Sequence, residues 1–85
     1  MTETLAVFRS RSQAMDCLSR LKAAGINAQL INTPKEANVG CGLSVKFMRA
    51  AASRAKNVIS RAHYSAFYGY MRIENKYGRL FVSGF

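Results

Sequence analysis

Leu43-Ser44-Val45-Lys46-Phe47 alternates apolar and polar residues, with Leu43, Val45 and Phe47 on one side and Ser44 and Lys46 on the other. A period of two is the pattern of a half-buried strand. Upstream, Asn27-Ala28-Gln29-Leu30-Ile31 reads as another strand, and the two are separated by Thr33 to Cys41, TPKEANVGC. That segment holds the only proline, which disfavours helix at Thr33, and Cys41 lies between Gly40 and Gly42, so it reads as a loop. Two strands therefore follow one another with no helix between them.

Outward from this pair the chain is nearly symmetrical. Thr4 to Arg9 (TLAVFR) is a short β-branched and aromatic run, a first strand. Ser10 stands three residues before Gln13, the spacing of a capping box, and Ser12 is a second N-cap candidate. A first helix runs to about Ala24, with Ala14, Cys17, Leu18, Leu21 and Ala24 as its buried stripe and Gly25 as its stop. Beyond the third strand a second helix is expected over roughly Arg49 to Tyr64. Its stripe is Ala51, Ala55, Val58, Ile59 and Ala62, while Arg49, Lys56 and His63 fall seven apart along the opposite face. Phe67 to Glu74 and Arg79 to Ser83 are strand-like runs joined by Asn75-Lys76-Tyr77-Gly78, a hairpin signal.

The order βαββαβ, with a final strand appended, predicts a single α+β domain over residues 1–85. The expected architecture is an open antiparallel sheet covered on one face by both helices, the ferredoxin-like two-layer sandwich with an extra C-terminal strand.

Composition narrows the function. The chain carries 13 Lys+Arg against 4 Asp+Glu, a formal charge of +9, and 49% of its residues are hydrophobic. That composition excludes the disordered and collagen-like classes. No uncharged apolar run approaches the ~18–20 residues of a membrane span, and Met1-Thr2-Glu3-Thr4 lacks the basic and apolar opening of a secretory signal. No membrane partner is expected, and the expected location is cytoplasmic. Two cysteines and one histidine make neither a disulfide framework nor a zinc spacing, so no metal or cofactor is expected. There are no paired carboxylates, no Ser-His-Asp set and no phosphate loop, which disfavours a free-standing enzyme.

Cys41 is the residue with chemistry to offer. Flanking glycines remove side-chain cover, so the sulfur can be approached from solvent, as suits a nucleophile. The alternative is a small buried hydrophobe at a strand end, a common setting for free cysteine. In a ferredoxin-like sheet strands one and two run parallel, which sets this loop at the pole where the first helix starts, facing Ser10, Arg11 and Ser12. The helix N-terminus and the charges of Arg9 and Arg11 favour thiolate over thiol. His63, at the end of the second helix, is expected at the same pole, either approaching the sulfur or serving as a helix-dipole partner. Cys17, on the apolar stripe, is expected in the core.

Thr33-Pro34-Lys35, a short polar stretch, then Cys41-Gly42-Leu43-Ser44-Val45 resembles the signature of the small bacterial selenium/sulfur carrier-like family, catalogued as a domain of unknown function. The resemblance runs from the first strand, with Phe8, through the leucines and Ala24-Gly25-Ile26 of the first helix to the second helix. It implies that Cys41 is the carrier thiol, supported by the loop residues Thr33, Pro34, Gly40 and Gly42. It would hold sulfur or selenium as a persulfide or perselenide and pass it between a donor and an acceptor protein, which supply the rest of the chemistry.

The charge supports a second reading, a small nucleic-acid-binding module. Arg49 and Lys56 of the second helix, with Tyr68, Tyr70 and Arg72 sharing one face of the fourth strand, would supply phosphate and base contacts if that face is the one without helices. Against it, alternating tyrosines also pack between strands, and the third strand has no basic-glycine-aromatic signature. The cations are spread over every element, which predicts weak polyanion binding lost at physiological salt. A third reading is an interaction or regulatory domain without chemistry.

Overall fold

The computed structural model of the chain describes residues 2–33, 42–76 and 79–84, with side chains described for 3–33 and 42–73. In chain order the elements are β1 (Thr2–Phe8), α1 (Arg11–Ala23), β2 (Ala28–Asn32), β3 (Leu43–Met48), a 3₁₀ turn (Arg49–Ala51), α2 (Ala52–Ala62), β4 (Phe67–Lys76) and β5 (Arg79–Gly84). The strands form one sheet in the order β2-β3-β1-β4-β5. Every neighbouring pair is antiparallel. The fold is thus α+β, an antiparallel sheet with two helices.

Local chemistry sets the limits of α1. Ser10 is the N-cap, its Oγ accepting from the Gln13 N–H at 3.3 Å. Ser12 is not a cap; its hydroxyl lies 3.0 Å from that of Ser10. Only half of the expected capping box forms. The Gln13 amide turns outward, where Nε2 donates to Ser65 Oγ at 2.8 Å and Oε1 accepts from Ala66 N–H at 2.8 Å. At the other end Gly25 takes φ +80°. Gly25 N–H then donates to Lys22 O and Ile26 N–H to Leu21 O, the paired bonds of a Schellman turn.

The second helix is shorter than the pattern suggests. Residues Arg49–Ala51 form a 3₁₀ turn, the α-helix begins at Ala52 without a side-chain cap, and it ends at His63 in the left-handed region with φ 52° and ψ 51°. Alanine offers no oxygen to the helix's orphan N–H groups, and no glycine is present to make the exit easily. Strand limits shift similarly. β1 stops at Phe8 because the Arg9 N–H is taken by Ala66 O, at 2.9 Å. Asn75 and Lys76, expected in the hairpin turn, belong to β4.

Core residues lie on both faces of β1. Ala6 and Phe8 join Ala14, Cys17 and Leu21 of α1, Val45 and Phe47 of β3, and Ala55 and Ile59 of α2 in the core beneath the helices. Leu5 and Val7 point the other way and cluster with Ile73, Ile31 and Met71. Fully burying a side chain such as Leu5, Val7 or Phe8 contributes roughly 1.5–3 kcal/mol, so this central strand anchors both layers.

One register irregularity changes the reading of the fourth strand. Ala6 pairs with Tyr70 and Val7 with Gly69, but Phe8 pairs with Phe67, so Tyr68 is the extra residue of a β-bulge. Tyr68, Tyr70 and Arg72 therefore do not form one platform on the helix-free face. Tyr70 and Arg72, opposite Ala6 and Thr4, lie on the helix-covered face. Tyr70 packs against the core there, with its ring 4.8 Å from that of Phe67 and Lys56 Nζ 4.9 Å from its centroid.

Candidate functional site

β1 and β2 are both antiparallel to β3 and so run the same way, ending at one pole of the sheet. Where β2 leads out and β3 leads in, the chain is latched. The Thr33 N–H donates to Gly42 O at 3.1 Å, and the hydroxyls of Thr33 and Ser44 lie 2.7 Å apart. Ser44, on the polar side of its strand by sequence, is fully buried. Its register partners are Val7 and Ile31, which explains the burial, and Thr33 satisfies its hydroxyl.

This packing leaves little room at Gly42. A Cβ there would stand 3.0 Å from the Phe8 carbonyl oxygen and 3.3 Å from Thr33 Oγ1. The entry to β3 is thereby pressed against the exit of β1, two residues before the α1 cap. Pro34, Gly40 and Cys41 lie outside the described residues, as do the distances from the Cys41 sulfur to Arg9, Arg11 and His63.

The surroundings of the latch are described. The first turn of α1 holds no acidic residue, and Arg9 and Arg11 flank Ser10, both exposed. The end of α2 comes to the same pole because Gln13 grips Ser65 and Ala66. That brings exposed Arg61 and His63 there. The Arg9 guanidinium sits 5.0 Å from the centroid of the Tyr68 ring.

The remaining candidates are dispersed. Arg49 follows β3 and so lies at the opposite pole, and Lys56 is engaged over the Tyr70 ring. A shallow pocket of about 170 Å³, lined by Glu3, Ala28, Lys46, Phe47 and Met48 among others, is also at that far pole. It offers nothing to a site at the latch.

Cys17 is fully buried, and desolvation, helped by the Asp16 charge, pushes its thiol up to about 12. It is neutral at physiological pH and sealed from reagents. Nearby, Asp16 Oδ2 accepts from the Tyr64 hydroxyl at 2.6 Å and from Arg20 Nε at 2.8 Å. These bonds hold the carboxyl below its ordinary range, the tyrosine contributing most. The roles of Gln13, Ser44 and Tyr64 were not legible in the sequence. Ser44 carried a signal, a hydroxyl two residues beyond the Cys-Gly pair, and Gln13 read only as part of a capping box.

Residues 3–68 match a family model described as "Putative Se/S carrier protein-like". The match runs from β1 to the bulge in β4 and leaves the rest of the β4–β5 hairpin outside it. No curated protein and no solved structure matches the chain.

Proposed function

The chain belongs to the Se/S carrier protein-like family, and from that premise we propose that Cys41 is a carrier thiol which takes up a sulfur or selenium atom from a donor protein and yields it to an acceptor. What carries this reading is the latch. Gly42, bonded covalently to Cys41, is held against the Phe8 carbonyl and Thr33, at the pole where α1 begins. Arg9 and Arg11, and a helix N-terminus with no acidic residue in its first turn, favour an anionic sulfur at that pole. The burial of Cys17 leaves Cys41 to do the chemistry.

The step is a thiol exchange. The Cys41 thiolate attacks the outer sulfur of a donor persulfide, a new S–S bond forms, the donor's S–S bond breaks, and the donor leaves as thiolate. Cys41 then bears the persulfide, with no net oxidation or reduction. Delivery is the same exchange with an acceptor thiolate attacking the terminal sulfur, and selenium follows the same balance as a perselenide. The protein acts as a carrier rather than a free-standing enzyme, within a reducing cytoplasm.

Strand order β2-β3-β1-β4 with interleaved βαβ halves supports reading the first four strands as a ferredoxin-like sheet, to which β5 adds an edge. Among the described residues no helix is long and apolar enough to cross a membrane.

Incubation with a small-molecule persulfide, followed by peptide mass spectrometry, tests the carrier. One added sulfur on the Cys41 peptide, removable by reductant and absent from Cys41→Ser, is the expected result. Sulfur confined to Cys17, or on neither cysteine, defeats it.

A further inference from the structure

The β-bulge in β4 allows both Phe67 and Tyr70 to reach the helix-side core, where Phe67 lies 5.4 Å from Phe8 and 4.8 Å from Tyr70. Core packing thus accounts for the bulge. It does not account for a tyrosine at the residue left over. Tyr68 makes no part of either core cluster and is 48% exposed, a setting in which a small polar residue would serve the fold as well. Bulges commonly re-aim a side chain beside a functional site, and this one turns an aromatic ring to solvent at the pole of the latch.

The ring is not alone there. Arg9 lays its guanidinium 5.0 Å from the Tyr68 centroid, and exposed Arg11 and Arg61 share the pole. Among the described side chains the carboxylates are Glu3, engaged by Lys46, and Asp16, engaged by Arg20 and Tyr64. Both carboxylates are thus matched by cationic partners, and the chain as a whole carries +9.

We propose that Tyr68 and Arg9 form a stacking site for the bases of a single-stranded nucleic acid, with Arg11 and Arg61 contacting its phosphates. An acidic peptide would match the charge but has no π-face to offer the ring. A duplex matches the charge and keeps its bases covered. A single strand supplies both exposed bases and phosphates. The site is one tyrosine and a local group of arginines, not the broad strand-4 platform, because Tyr70 belongs to the core. It stands independently of the sulfur chemistry of Cys41.

Fluorescence anisotropy with a labelled oligouridylate, its deoxy counterpart, an RNA duplex and poly-glutamate tests the proposal. Binding of the single strands should fall with salt at a log–log slope of about −0.7 per phosphate contacted. Tyr68→Ala should weaken it about 5- to 150-fold, a loss that persists at high salt, as the removal of one base stack predicts. Tyr68→Phe should keep the affinity. Tyr68→Leu, which keeps an apolar side chain without a π-face, should lose it, and Arg9→Lys, which keeps the charge but not the plane, should weaken it. Cys41→Ser, which should abolish sulfur uptake, should leave this nucleic-acid binding as it is, which separates the test from that of the carrier. Equal affinity for duplex or poly-glutamate overturns the proposal, as does binding indifferent to Tyr68→Leu in a protein that melts like the parent.

Discussion

The two helices cover the same face of one sheet, yet their ends are made differently. α1 opens on Ser10, whose hydroxyl accepts a backbone N–H, and closes on Gly25 in a Schellman turn. α2 opens uncapped after a 3₁₀ turn and closes on a histidine forced into the left-handed region. Local residues write the limits of the first helix. Those of the second depend on its neighbours: Arg54 reaches across to the Ala24 carbonyl at 2.7 Å, Tyr64 to Asp16, and Gln13 holds the turn that follows. The lesson concerns function as well, because the self-sufficient end of α1 is the one placed beside the latch.

The sharpest way to break the difference is to remove what both halves share. Phe8 ends β1 and meets Tyr64 at 5.3 Å and Phe67 at 5.4 Å, fully buried. Phe8→Ala should cost about 3–5 kcal/mol, much of the stability of so small a domain, and chemical denaturation should show the loss as a lower midpoint. Retention of the parent midpoint would mean that the two halves do not depend on this seam.

A smaller effect, of opposite sign in the two helices, sharpens the comparison. Gly25→Ala places a Cβ on a residue at φ +80° and should destabilise by about 1–2 kcal/mol. His63→Gly relieves the same kind of strain at the end of α2 and should stabilise, by up to about 1 kcal/mol after the entropy of glycine is counted. If both changes destabilise, the histidine makes a compensating contact and α2 is better terminated than its backbone suggests.

The smallest effect is electrostatic. Asp16 has its carboxyl lowered by the Tyr64 hydroxyl and then by Arg20, so folding favours the charged form. Its contribution is present above the ordinary carboxylate value of 3.8 and is lost as pH falls through the lower folded value. Asp16 is exposed, so the slope should be slight. Asp16→Asn should lower the melting temperature slightly at neutral pH and converge on the parent in strong acid, so that the acid limb of the profile is flattened. An unaltered acid limb would show that the Tyr64 link between the helices carries no charge dependence.

Much of the fold was legible because it rests on contacts a few residues apart. The strand at Leu43 to Phe47, the stripe that buries Ala14, Cys17 and Leu21, and the stop at Gly25 all come from short-range patterns and stand where those patterns put them, although Ser44, on the polar side of its strand, is buried. Gly42 was legible as a glycine beside the thiol but not as a packing residue, since its neighbour, the Phe8 carbonyl, is far away in the chain. The face expected to be shared by Tyr68 and Tyr70 was lost for a similar reason. Strict alternation assumes an unbroken register, and a bulge inserts one residue wherever two strands must satisfy a core contributed by other elements.

Periodicity and caps therefore specify which segments become helix or strand, and the net charge and the Cys-Gly motif are properties of composition and order alone. Which residues share a face, which hydroxyl finds a partner and which tyrosine reaches solvent are settled only in the assembled sheet. Those outcomes depend on pairs such as Thr33 with Ser44, Gln13 with Ala66 and Arg9 with Tyr68, whose separation in the chain no local pattern encodes. The physical reason is that helix turns and strand pleats are chosen by neighbours, whereas burial and close approach are chosen by whatever the rest of the chain brings alongside.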